Sequence, residues 1–221
     1  ADKVSSKETL EFLYTSPYFM VVAQASMNND GKYSPDIANT PDGTFFNNYF
    51  LMDSGGTALR WQDFTVRLGR LPQYDEVDSP YSVFVSSLGH AANTISMRFE
   101  KGAFVYESRW IELTSNSANA TLAYSTDGTV GTAKTWPDRG AQLKIYALDY
   151  GNFKWGMEDF SVYTGRSFDF EYLVNPLPGY LIQYVKGTFS RPWSTGINEN
   201  YAVGFFSIWK PADLWTLDGQ F

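Results

Sequence analysis

Three carboxylates lie within four residues, at Asp75, Glu76 and Asp78, between two predicted strands. Acidic side chains this close repel one another unless water, a cationic side chain or a bound cation compensates their charge. Carboxylate oxygens are ligands that Ca²⁺ prefers, so one interpretation is a calcium site formed by these three residues. The alternative is a solvated loop beside Arg67 and Arg70, with no bound metal.

Evidence for a catalytic centre is sparse. The order Glu76-Val77-Asp78 resembles the first half of a strand of retaining glycosidases, but Ser79-Pro80-Tyr81 follows, where a second carboxylate is expected. His90 is the only histidine, it lies in a predicted turn, and no nucleophile elbow accompanies it. The chain has no cysteine, phosphate-binding loop, dinucleotide fingerprint or zinc-ligand spacing. The sequence leaves catalysis open and favours a non-enzymatic role.

A second set of candidate residues combines tryptophan rings with charged neighbours. A ring can cover the apolar C–H face of a sugar while nearby polar groups bind its hydroxyls, so these residues predict an oligosaccharide site. Trp155 and Glu158 are on one predicted strand, and the alternative for them is a core ring beside a surface charge. The predicted ligand-binding residues are Trp110, Trp155, Glu158 and Trp193, with Glu107 and Arg191 nearby.

Composition narrows the classes of partner. The formal net charge is −7 and no basic run occurs, so nucleic acid is not an expected partner. Aromatic residues make up 18% of the chain. This excess suits a sugar-binding β-protein, an outer-membrane β-barrel with aromatic girdles, or a soluble β-core. No run of about 18 apolar residues predicts a transmembrane helix. The start at Ala1 without Met is expected of a mature exported product or an excised piece.

These candidate residues must be positioned by strands. Turn signals such as Thr126-Asp127-Gly128 and Lys101-Gly102 separate alternating or apolar runs, which predicts hairpins. We therefore expect a single all-β domain over residues 1–221, an antiparallel meander of about twelve strands, with a closed barrel favoured over a two-sheet sandwich. A short helix near residues 5–14 competes with a strand over 10–14. The predicted strands are 17–27, 48–53, 59–71, 81–88, 94–100, 103–114, 120–125, 141–150, 153–163, 167–174, 180–189 and 201–209.

Two segments carry a family resemblance. The run 64–70, followed by Asp78-Ser79-Pro80-Tyr81, resembles a strand and loop of bacterial outer-membrane barrel proteins. Residues 153–163 and 171–176 together are similar to the "Gly-x-Glu … Tyr … Tyr-Leu-x-Asn-Pro" run of porin-like barrels of the capsule-assembly, Wzi-type family. The resemblance covers roughly a quarter of the chain. It implies an outer-membrane protein that holds or passes surface polysaccharide without catalysis.

Three hypotheses for function follow. The first is a bacterial outer-membrane β-barrel, porin-like or associated with surface polysaccharide, with outer-membrane lipid as a further partner. The second is a secreted β-sandwich or barrel that binds carbohydrate or acts on a glycan. The third is a soluble lipocalin-type barrel whose aromatic interior holds an apolar ligand. All three are exported proteins without a required cofactor, apart from the Ca²⁺ suggested by the acidic loop.

Overall fold

The computed structural model describes residues 7–28, 49–88, 91–114, 138–187, 199–212 and 214–221. Its ten strands form one antiparallel sheet in which each strand pairs with the next in the chain, as the sequence predicts for an all-β meander. In the described part, β1 and β10 each pair with one neighbour only, so the sheet is open. The strands are β1 Lys7–Thr15, β2 Phe19–Asn28, β3 Tyr49–Trp61, β4 Phe64–Leu71, β5 Ala92–Lys101, β6 Phe104–Thr114, β7 Arg139–Asp149, β8 Phe153–Thr164, β9 Glu199–Ala212 and β10 Trp215–Gln220.

Two predicted strands are helices. The prediction for 167–174 is wrong because Asp169 caps helix α1, Phe170–Val174, by accepting a hydrogen bond from the Glu171 amide. The prediction for 180–189 is wrong over 180–187, where helix α2 spans Gly179–Gly187, and residues 188–189 lie outside the described residues. The apolar residues Leu181, Ile182 and Val185 have the spacing of one face of a helix. The prediction of a strand here did not use that signal.

Other boundaries also differ from the prediction. Residues 81–88 are turns and bends, because serine hydroxyls such as those of Ser82 and Ser86 hydrogen-bond local backbone groups. The predicted strand 59–71 is a hairpin that turns at Gln62, where φ is 52°. Residues 7–14 lie in β1, so the short helix is wrong for that part. The predicted strand 120–125 lies outside the described residues.

The two faces of the sheet carry different covering segments. Residues 72–88, the loop segment, lie over one face, which we call the loop face; Val85 packs there against Val105, Leu143 and Ile145 in the main apolar core. Residues 165–187, the helical segment, lie over the opposite face, which we call the helix face. Tyr172 and Ile182 form a second small core there with Tyr163 of β8.

The connections differ at the two ends of the strands. Because consecutive strands pair in chain order, every second connection lies at the same end of the sheet. The connections 16–18, 62–63, 102–103, 150–152 and 213–214 have two or three residues each and share one end, the short-turn end. The connections 29–48, 72–91, 115–138 and 165–198 have twenty or more residues each and share the other end.

Candidate functional site

A buried charged network lies on the loop face of β5 and β6. Cross-strand pairing places Arg98 opposite Glu107 and Ser96 opposite Arg109, so all four side chains share this face. The buried Glu107 carboxylate accepts hydrogen bonds from Ser96 Oγ at 2.9 Å, Arg98 Nη1 at 2.9 Å and Arg109 Nε at 2.7 Å. A buried carboxylate needs this compensation because an unpaired charge costs several kcal/mol, on the order of 3–5, in a protein interior.

The loop segment joins this network through Glu76. One Glu76 oxygen forms an ion pair with Arg98, and the other lies 2.9 Å from Lys154 Nζ of β8. The Glu76 amide also donates to Glu158 at 3.1 Å. A single loop residue therefore links the loop segment to β5 and β8, across the intervening strands β6 and β7.

Asp75 organises the backbone of the loop segment. Its carboxylate accepts hydrogen bonds from the amides of Val77, Asp78 and Val85 at 3.1–3.3 Å, and from Gln220 Nε2 of β10 at 3.0 Å. The Gln220 amide also donates to Glu158 at 3.1 Å. Asp75 is therefore an anchor for the loop, and its oxygens are engaged by protein donors.

The three residues predicted to bind calcium have different partners in the structure. Asp75 accepts amide donors, Glu76 pairs with Arg98 and Lys154, and Asp78 has a left-handed backbone with φ of 52°. Among the described residues, no group of three or more His, Cys, Asp and Glu side chains is arranged to hold a metal ion. The basic partners of the acidic loop are Arg98 and Lys154, whereas Arg67 and Arg70 were the predicted neighbours. Calcium binding at these residues stays an untested prediction.

A cleft beside the loop segment continues the loop face over β2 to β5. One cavity, of about 300 Å³, lies against Gln73, Tyr74 and Arg109. A second, of about 330 Å³, lies against Arg60, Thr65 and Arg98. Arg67 and Met20 line both cavities, so the two are adjoining parts of one cleft.

The helical segment is held to the helix face by polar contacts from strand side chains. Lys144 Nζ donates to the Asn175 carbonyl at 2.7 Å and to the Leu177 carbonyl. Asp159 accepts from the Gly179 amide, and Ser108 Oγ donates to the Leu173 carbonyl at 2.6 Å. These contacts satisfy backbone groups of the short helices and of the residues that join them.

An acidic residue of β9 completes this attachment. Glu199 pairs with Arg166 and accepts a hydrogen bond from the Tyr172 hydroxyl, and Arg166 also pairs with Asp169 at 2.8 Å. Burial by itself lowers the pKa of Arg166, but the hydrogen bond to Glu199 and the charge of Asp169 outweigh burial and raise that pKa above its ordinary value. Arg166 is therefore firmly cationic, and its positive charge ties the helical segment to β9.

The predicted sugar-binding residues do not come together. Trp155 lies on the helix face with 46% of its surface exposed, whereas Glu158 is fully buried on the loop face. Trp110 is on the helix face beneath the helical segment, where its Nε1 donates to the Ser167 carbonyl at 2.6 Å and its ring contacts Phe168. Its neighbour Glu107 is on the loop face, and Trp193 lies outside the described residues.

The helix face carries a belt of aromatic rings near the short-turn end. Rings at adjacent strands contact one another, as Phe99 does with Phe64 at 4.8 Å and with Phe104 at 6.3 Å between ring centroids. Most of the belt is exposed, although aromatic surface is costly to leave in water. The belt consists of Phe19, Trp61, Phe64, Phe99, Phe104, Phe153, Trp155 and Trp209.

The sequence interpretation missed the cleft residues Arg60 and Gln73, and it named Arg67 only as a neighbour of the acidic loop. A signal was available, because Arg67 alternates with Val66 and Leu68 and therefore lies on the polar face of β4. Its proximity to Gln73 and Tyr74 depends on the path of the loop segment, which local sequence does not determine.

In the part of the chain that the structure describes, no helix is long and apolar enough to cross a membrane. The chain matches no family model, no curated protein and no solved structure.

Proposed function

We propose that this chain is a non-enzymatic protein of the bacterial outer membrane. In this proposal its sheet forms part of the wall of a closed β-barrel, with the aromatic belt at the short-turn end of the helix face toward lipid. The cleft and the charged network of the loop face line an interior that holds or passes surface polysaccharide or a related hydrophilic solute. The aromatic belt on the helix face is the observation that carries the proposal, because Trp, Tyr and Phe side chains concentrate at bilayer interfaces.

Strand length and connection length support the same arrangement. A strand needs about 9–11 residues to cross a bilayer when tilted. Strands β5 to β8 have 10, 11, 11 and 12 residues. Outer-membrane barrels have short turns at the periplasmic end and long loops at the outer end, and the connections here alternate in that way.

The distribution of polarity over residues 64–68 of β4 supports the assignment of the two faces of that strand. Toward lipid, a strand must present apolar side chains, as β4 does with Phe64, Val66 and Leu68 on the helix face. On the loop face, β4 presents Thr65 and Arg67. Closure would also pair the open edges of β1 and β10, because a bilayer offers no hydrogen bonds to unpaired strand backbone.

Quenching of tryptophan fluorescence by lipids brominated on the acyl chain tests the proposal. The refolded chain in such vesicles should lose emission from the belt, and replacing Trp155 or Trp209 by Phe should each reduce the quenched fraction. Trp110→Phe is the matched control, because the helical segment covers the Trp110 ring. The quenched fraction should not fall in that variant, because an emitter shielded from lipid is removed.

Two outcomes would overturn the proposal. A chain that stays monodisperse in buffer without detergent does not present a lipid-facing surface, and the secreted carbohydrate-binding protein or the lipocalin-type barrel would replace the proposed membrane protein. Equal quenching changes for Trp155→Phe and Trp110→Phe would show that the belt does not face lipid.

A further inference from the structure

The arginines of the loop face differ in their charge compensation. Arg98 forms ion pairs with Glu76, Glu100 and Glu107, and Arg109 forms one with Glu107. In the described part of the chain, no carboxylate forms an ion pair with Arg60 or Arg67. Glu100 lines the same cavity as Arg60 and Arg67 but forms its ion pair with Arg98, so the arginines of β5 and β6 have carboxylate partners and those of β3 and β4 form no ion pair among the described residues.

Arg60 and Arg67 lie close together on this face. Thr65 is the direct cross-strand partner of Arg60, and Ala58 is that of Arg67. The two arginines are therefore diagonal neighbours, a spacing at which Cα atoms are roughly 7–8 Å apart and long side chains reach one another. Arg67 is half-buried, and its Nη1 donates to the Tyr74 hydroxyl at 3.3 Å. Two neighbouring guanidinium groups without carboxylate partners suit an anion, which both can bind through charge-assisted hydrogen bonds.

The adjoining cavity, which Gln73 and Tyr74 line, offers a hydrogen-bond acceptor. Gln73 is buried, with 6% of its surface exposed, and lines the cavity. Its Nε2 donates to the Leu71 carbonyl at 2.7 Å, but its Oε1 has no hydrogen-bond partner among the described residues. A buried acceptor without a donor costs about 1–3 kcal/mol, so a ligand that supplies a hydroxyl donor would remove that cost.

We propose that the cleft binds a hydroxylated organic anion, with its anionic group at Arg60 and Arg67 and a hydroxyl group at Gln73. The inference rests on the proposed function, because it names the class of hydrophilic solute that the loop face takes. A uronate has both an anionic group and sugar hydroxyls, whereas inorganic phosphate lacks the sugar hydroxyls and a neutral sugar lacks the charge.

Isothermal titration of the detergent-solubilised chain with trigalacturonate, maltotriose and inorganic phosphate tests the site. Trigalacturonate should bind at least about tenfold more tightly than either of the others. Arg67→Gln should weaken it by about tenfold or more, as expected for loss of a hydrogen bond to a charged group. Arg70→Gln is the matched control, since it removes the same charge from the same strand on the opposite, exposed face, and it should change binding less than about twofold. Gln73→Leu should weaken trigalacturonate and leave phosphate unchanged.

Several results would overturn the proposal. The first is an affinity for maltotriose or for phosphate equal to that for trigalacturonate. The second is an equal loss of trigalacturonate affinity in Arg67→Gln and Arg70→Gln. If Arg67→Gln fails to fold, Arg60→Gln gives the same test, because Arg60 is exposed and makes no ion pair in the described part of the chain. Failure here, with lipid quenching of the belt intact, removes the anion site alone; failure of the lipid quenching removes the membrane assignment.

Discussion

Glu76 and Arg98 form an ion pair that joins the loop segment to β5, with 9% and 15% of their side chains exposed. Arg98 also pairs with Glu100, whose side chain is 45% exposed. Arg98 thus has one buried partner in the loop segment, Glu76, and one exposed partner on its own strand, Glu100. This difference makes the two glutamates a matched pair for mutation.

We expect Glu76→Gln to loosen the loop segment. Removing one partner of a buried ion pair costs roughly 3–5 kcal/mol, whereas an exposed pair contributes about 0–1 kcal/mol. Glu76→Gln should therefore lower the thermal midpoint clearly and speed proteolysis within residues 72–88, while Glu100→Gln should do neither. Similar midpoints for the two variants would show that Glu76 does not hold the loop.

Trp155 should not contribute to the affinity for a saccharide bound near Glu158. The two residues lie on opposite faces of β8, so a saccharide bound in the cleft of the loop face cannot contact the Trp155 ring. Trp155→Ala should leave the affinity for trigalacturonate unchanged within about twofold, as measured by titration calorimetry. A loss of affinity as large as that of Arg67→Gln would instead support a sugar subsite at Trp155.

Chelation tests the acidic loop. Because Asp75 accepts four protein donors and Glu76 pairs with two cations, we expect the thermal midpoint to be the same with and without excess EDTA. Asp78→Asn should also leave the response to EDTA unchanged. A midpoint that falls on chelation, and no longer does so in Asp78→Asn, would establish the calcium site.

Local sequence predicted the hairpins whose turns have a strong signal. Lys101-Gly102 joins β5 to β6, and Gly102 has the positive φ of 60° that such a turn needs. Glutamine rarely adopts a positive φ, so Gln62 is not a turn signal in the sequence. One continuous strand was therefore predicted over residues 59–71. Strand type was therefore predictable over most of the sheet, and the turn at Gln62 was not.

The candidate site was less predictable, because its contacts join distant residues. The bonds from Glu76 to Arg98, Lys154 and Glu158 cross 22, 78 and 82 residues. No local pattern brings these side chains together; the order of the strands and the path of the loop segment do. The face of each residue was available from alternation, since residues three apart on a strand, such as Trp155 and Glu158, lie on opposite sides.

Adjacent substitutions on β4 test the assignment of the two faces. Thr65 and Val66 are neighbours and both half-buried; Thr65 lines the cleft near three arginines, whereas Val66 pairs with Leu59 and Met97 on the helix face. Val66→Glu places a carboxylate among apolar side chains, or in lipid under the proposed function. Charged residues on a lipid face cost up to about 2–4 kcal/mol, acidic ones less than basic ones.

Thr65→Glu places the same carboxylate beside Arg60, Arg67 and Arg98, which offset its charge. We therefore expect Val66→Glu to reduce the yield of folded chain in detergent and to lower the midpoint of urea unfolding, while Thr65→Glu stays close to the parent protein. Thr65→Glu should also weaken trigalacturonate binding, because it supplies the arginines with an internal anion. If the two variants unfold at the same urea concentration, the polar and apolar faces of β4 have been assigned incorrectly.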